Sequence, residues 1–308
     1  MTKGDKYLAR IIFKNKIYAA DKQAFEDLFT KVKESEDENF KQVKPQGRLG
    51  DGKCDGFNAV TGEYYQVYAP ESLDGKEEKA KTKMSASVSG LIDFWKKNNF
   101  EVKKFYFVVK DDYKHVYASL YTNAKTIAID HKIECEILTC KHLEDTFLKL
   151  DEDKMTNVLG LVAIPNPSNI ENVEYGIMKE VIEFLLNKSI PKVNEVIPLN
   201  PDFERKIIFN KLTVAVSDFL NAGQRQNFIV KDYFEINSKF IKDELRQTFN
   251  NIYNKAVKEV PDSDTKNDEV FQYIVEKSSP RNNFAFFSAV YVLMAYYFEY
   301  CDIFETPN

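Results

Sequence analysis

Residues 284–298, FAFFSAVYVLMAYYF, run for fifteen positions without a charge. No other stretch constrains the fold as strongly. A helix that is apolar around its whole circumference offers no face to water and has to be enclosed on every side. Crossing a bilayer takes about 20 such residues. This run is shorter, and the EYCDIFE that follows it is acidic. The segment is therefore expected to be the central helix of a helical domain, with no membrane partner.

The rest of the second half suits that role. Apolar spacing predicts helices over 173–188, 202–221, 237–256 and 268–276, with the apolar helix itself at 282–299. The break before them is IPNPSN, residues 164–169, where two prolines stop any helix or ladder. The expected division is an α/β domain over 1–164 and an all-α domain over 165–308. Helical domains of this kind usually bind a partner or a copy of themselves, and the sequence does not choose between the two.

The first half switches periods. An amphipathic helix is expected over 20–33, with Asp21 as its N-cap, then two short strands around Thr61-Gly62. Ala80, Met84, Val88, Leu91 and Trp95 form a helical stripe. KKFYFVVK reads as a strand buried on both faces. A helix over 121–131, a strand ECEILTC and a helix over 143–149 complete an α-β-β-α-β-α-β-α order. Charge is balanced through Ile164, with 27 basic and 27 acidic residues, and the remainder has 16 against 21. Neither half holds nucleic acid by bulk charge. Between Lys76 and Lys110, however, nine lysines face four acids. Such a run is either a solvated face or a surface for phosphate backbone.

The chemistry concentrates in residues 50–72, GDGKCDGFNAVTGEYYQVYAPES. Metal-dependent phosphodiester hydrolysis needs hard oxygen ligands converging on one point, and a cation or base to manage the attacking water. An Asp at one strand end and residues x and x+2 on its hairpin partner meet that need, because alternate residues share a face. Here Asp55 takes the first role. Tyr64, Gln66 and Tyr68 share one face, so Gln66 stands at the second ligand position and Tyr68 where a lysine is wanted. Asp51 and Asp55 also read simply as the acids of two Asp-Gly turns.

GRLGDGKCDGF…EYYQV resembles the restriction-endonuclease-like, PD-(D/E)XK superfamily, in the branch where a Gln replaces one acid. That resemblance implies a mixed sheet flanked by helices and Mg²⁺ (or Mn²⁺) at Asp55 and Gln66. It adds Glu26, on the preceding helix, as an extra acidic ligand. It also implies that a lysine from the next helix can replace Tyr68. Lys81 shares the stripe of Met84 and Val88 and is the first choice; Lys83 is the second. Across most of its length, through KKFYFVV and MAYYFEYCDIFE, the chain is similar to proteins of bacterial ABC-three-component systems. That similarity implies anti-phage defence and a complex with an SMC- or ABC-type ATPase; double-stranded DNA is the expected substrate of the nuclease reading, and the cytoplasm the location expected from the free thiols. Two functions follow: a metal-dependent DNA endonuclease subunit, or a catalytically degenerate nuclease fold serving as an adaptor or scaffold.

Other chemistry has thinner support. Cys54, Cys135, Cys140 and Cys301 are scattered, and MTKGDKYLARIIFKNK has no export-length apolar run, so free thiols in a reducing compartment are expected. His131, Cys135, Cys140 and His142 cluster within twelve residues and invite a zinc reading. Two cysteines an odd number apart on one strand would face opposite sides. No phosphate loop or dinucleotide fingerprint is present, which leaves ATP hydrolysis to a partner.

Overall fold

The computed structural model describes residues 1–44, 52–170, 173–188, 202–237, 239–300 and 303–307. Asp51 and Cys301 lie outside these residues. The described chain forms two compact units, Lys16–Val158 and Met1–Asn15 with Leu159–Asn308. The division falls six residues before the prolines, and the first fifteen residues go with the helical unit rather than with the sheet.

The α/β unit is a five-stranded mixed sheet in the order β1-β2-β3-β4-β5. The strands are β1 (Phe40–Gln42), β2 (Gly56–Asn58), β3 (Glu63–Tyr68), β4 (Lys104–Val109) and β5 (Glu134–Leu138). The first three are antiparallel and the last two continue parallel to β3. Parallel neighbours need crossovers. α3 (Glu77–Lys97) and α4 (Ala118–His131) supply them. Both helices pack on the face carrying Tyr64, Phe105 and Phe107, with Met84, Val88, Leu91, Leu120 and Ile127 in the same core. The other face receives α2 (Gln23–Glu36), whose Phe29 meets Phe40 at 6.1 Å and Tyr65 at 5.7 Å between ring centroids. α5 (Cys140–Phe147) packs beside α2.

β1 escapes sequence reading because it is three residues long and exists through distant contacts. Phe40 lies over Gly56, where an added Cβ would come within 2.2 Å of the Phe40 ring. The expected strand ECEILTC ends at Leu138, and Cys140 opens α5 instead. Asp21 does not cap α2. The cap position is Lys22, and the Asp21 carboxylate pairs with Lys110 at 3.0 Å.

In the helical unit, α13 (Phe284–Glu299) is the expected central helix, buried continuously from Phe286 to Phe298. Around it pack α7 (Tyr175–Leu186), α9 (Val214–Gln224), α10 (Asn227–Ile236), α11 (Lys239–Glu259) and α12 (Lys266–Ser278). Aromatic pairs carry much of the contact: Phe219–Tyr291 at 4.5 Å, Phe249–Tyr297 at 5.2 Å and Phe234–Tyr296 at 5.5 Å. Enclosing a helix buries its orphan end groups too. Asn283 accepts the Phe286 N–H at the start. At the end, the fully buried Lys206 of α8 (Phe203–Phe209) donates to the Phe298 carbonyl at 2.9 Å and the Ile303 carbonyl at 2.7 Å.

The single helix expected over 202–221 is two, α8 and α9. Asn210, which closes α8, donates its amide to the Lys206 and Glu305 carbonyls, and Lys211 takes a left-handed φ of 51°. α10, the N-terminal α1 (Lys3–Ala19) and the short α6 (Glu152–Leu159) lie outside the expected elements. The first turns of α1 belong to the helical unit through side-chain bonds to α12. Tyr7 donates to Asp268 at 2.6 Å, and Lys14 pairs with buried Glu269 at 2.6 Å. No helix among the described residues is long and apolar enough to cross a membrane.

Candidate functional site

Asp55 is held from both sides before its side chain is considered. Its N–H donates to the Tyr65 carbonyl at 2.8 Å, and its carbonyl accepts the Val43 N–H at 3.0 Å. The approach is a left-handed turn, Gly52 (φ 64°) and Lys53 (φ 66°). The Gly52 carbonyl accepts the Trp95 indole N–H at 3.0 Å, which ties the turn to α3. The Lys53 stem lies against Gly90, where an added Cβ would come within 2.8 Å of Lys53 Cγ.

The register pairs Gly56 with Tyr65, so Asp55 falls opposite Gln66. Both side chains are buried, at 7% and 3% exposure. Asp55 Oδ2 accepts the Gln66 side-chain amide at 2.5 Å and the Val67 N–H at 2.6 Å. Gln66 Oε1 accepts the Ser87 hydroxyl of α3 at 3.3 Å. The expected convergence of Asp55 and Gln66 is present in the geometry. Ser87 was missed. Its signal was available, since it lies three residues after Met84 and four before Leu91, on the buried stripe.

A magnesium ion needs oxygens spaced as neighbouring corners of an octahedron, about 2.9 Å apart for bonds of about 2.0–2.1 Å. The end of the Gln66 amide stands within a few tenths of an ångström of that separation from Asp55 Oδ2. Turning the amide over would present its oxygen beside the carboxylate. Its nitrogen would then donate to Ser87, whose hydroxyl accepts as readily as it donates. Two oxygens so placed are donors of the kind that a hard divalent cation takes. Among the described residues, no three His, Cys, Asp or Glu side chains converge as a metal cluster.

The other expected residues are more dispersed. Glu26 is half-buried in the first turn of α2, the helix on the face of β3 opposite Gln66. Tyr68 is half-buried and stacked on Phe107 at 5.7 Å, and burial raises its phenol pKa. Lys81 is ion-paired with Glu78 at 2.9 Å, one turn back on α3. Lys83 is exposed. It stands four residues before Ser87, on the same stripe of α3. α3 runs antiparallel to β3, because β3 and β4 are parallel.

Lys110, counted in the basic run, is no surface charge. It is buried between Asp21 and Asp112, each at 3.0 Å. The next residue, Asp111, accepts the Cys140 N–H at 2.9 Å and the His115 N–H at 3.2 Å, fixing the loop after β4 to the start of α5. His142 closes a capping box with Thr139, and burial pushes the Cys135 thiol up to about 12.

No curated protein and no solved structure matches the chain. Residues 178–305 match the family model described as C-terminal domain 10 of the ABC-three component (ABC-3C) systems, which supports placing the chain among the components of those systems.

Proposed function

We propose that this chain is an anti-phage defence component whose α/β unit is a restriction-endonuclease-like module that cuts DNA with a divalent metal. The observation that carries this reading is the buried Asp55–Gln66 pair, brought together from opposed strands. The helix–three-strand–helix–strand order from α2 to β4, with antiparallel then parallel pairing, supports the same reading. Bound Mg²⁺ or Mn²⁺ would act as a Lewis acid on the phosphodiester. In this reading Asp55 and Gln66 hold the ion. The Val67 N–H and Ser87 orient them. Lys83, one turn before Ser87 on α3, supplies the positive charge for the developing phosphorane. Lys81 is less suited, since Glu78 already holds it. The near-neutral unit suits DNA delivered by an assembly with an ATPase partner.

A second reading rests on Tyr68. Its stacking on Phe107 fills the strand-lysine position with packing, which suits a scaffold that has kept the frame and lost the chemistry. Plasmid incubated with the purified chain, alone and with its partners, in Mg²⁺ or Mn²⁺ separates the two. Cleavage that Asp55→Ala abolishes and Lys83→Gln weakens supports the nuclease. Absence of cleavage under every condition, with phage protection intact in Asp55→Ala, leaves the scaffold.

A further inference from the structure

The sequence from residue 165 onward is net acidic, yet one cavity of the helical unit is cationic. It has a volume of about 390 Å³ and gathers Lys188, Lys255 and Lys277 around Ile252 and Tyr273. That size lies within the range of about 300–1,000 Å³ typical of small-ligand sites.

The charges do not cancel. Lys255 faces Glu259 at 3.6 Å, and Glu259 also accepts the Tyr273 hydroxyl at 2.6 Å. Lys188 is held in place by donating to the Lys277 carbonyl at 2.7 Å, with its ammonium 3.8 Å from the Phe184 ring centroid. The Lys277 ammonium lies 5.4 Å from the Tyr273 ring centroid. The Lys188 ammonium thus stands against the main chain of residue 277, and both lysines line the cavity. Burial, and then the charge of Lys277, pull the Lys188 pKa below its ordinary value. Two ammonium groups lining one cavity are stabilised by an anion that enters it. The Tyr273 ring and Ile252 beneath them are apolar, so the complementary ligand carries an apolar body as well as a charge.

We infer that this cavity binds a phosphate ester with a flat apolar body, of mononucleotide size, with the phosphate between Lys188 and Lys277 and the body against Tyr273 and Ile252. The site is separate from Asp55 and independent of the nuclease reading. Calorimetric titration of the full chain with adenosine monophosphate, adenosine and inorganic phosphate tests it, alongside the double variant Lys188→Gln/Lys277→Gln. Both lysines are exposed enough that the variant should keep its thermal midpoint, which is checked first. Expected is one-to-one binding of adenosine monophosphate, with adenosine, phosphate and the double variant each at least about tenfold weaker. Absence of adenosine monophosphate binding, equal binding of adenosine, or unchanged affinity in the double variant would overturn the assignment.

Discussion

Gly223→Ala sets two effects of opposite sign against each other. Gly223 lies within α9, where alanine is intrinsically better than glycine by about 1 kcal/mol. Its backbone also crosses α13 so closely that an added Cβ would stand 2.5 Å from the Tyr291 carbonyl oxygen and 2.9 Å from its carbon. A carbon meets such an oxygen comfortably at about 3.3 Å, so the two helices would have to part by nearly an ångström. The obstacle is main chain of a helix enclosed on all sides, which cannot rotate away as a side chain would. Overpacking of this kind costs about 1–3 kcal/mol, with a rigid obstacle at the upper end. The net expectation is a loss of about 2 kcal/mol, a fall in Tm of about 4–8 °C for a unit of this size. Heating followed by far-UV circular dichroism reads it directly. An unchanged or raised Tm would mean that α9 and α13 do not approach this closely, and the enclosed-helix argument would lose its tightest contact.

Other expectations follow from the α/β unit and from the buried tyrosines of both units. Tyr68→Lys returns the strand lysine at the cost of the Phe107 stack; if the frame is a nuclease, cleavage rises by about tenfold or more, whereas a folded variant without gain argues for the scaffold. Trp95→Phe leaves the buried Gly52 carbonyl without its indole donor. It should lower stability by about 1–3 kcal/mol in urea unfolding, and a wild-type midpoint would show that the turn before Asp55 is held by something else. Burial raises the phenol pKa of Tyr64 to about 12 and lifts those of Tyr65 and Tyr291 further. Above the ordinary phenol value of about 10 the unfolded chain loses these protons first, so stability falls as pH rises. Urea midpoints at pH 8 and pH 11 should differ accordingly; equal midpoints would contradict the burial of these rings.

What could be read in advance, and what could not, divides by the range of the interactions. Strand alternation placed Gln66 opposite Asp55, because a two-residue period is a local property. The charge-free run gave α13 for the same reason. Lys110 looked like one lysine of a basic run, and only the fold brings Asp21 and Asp112 around it. α1 was invisible as part of the helical unit, since Tyr7 and Lys14 reach Asp268 and Glu269 across more than 250 positions. The preference for Lys81 over Lys83 assumed that the apolar stripe of α3 marks the site. The contact with Gln66 runs through Ser87, and Lys81 is held by Glu78 one turn back, a pairing that the stripe alone did not show.

The central claim is that Asp55 and Gln66 form the metal-binding half of a hydrolytic site. Titration of the purified chain with Mn²⁺, with free ion followed by electron paramagnetic resonance, addresses it without depending on a substrate or partner. Asp55→Asn keeps the size of the side chain and an acceptor for the Val67 N–H while removing the charge. The account predicts that the wild-type chain takes up Mn²⁺ at a site that Asp55→Asn loses. Identical uptake by the two proteins would contradict it.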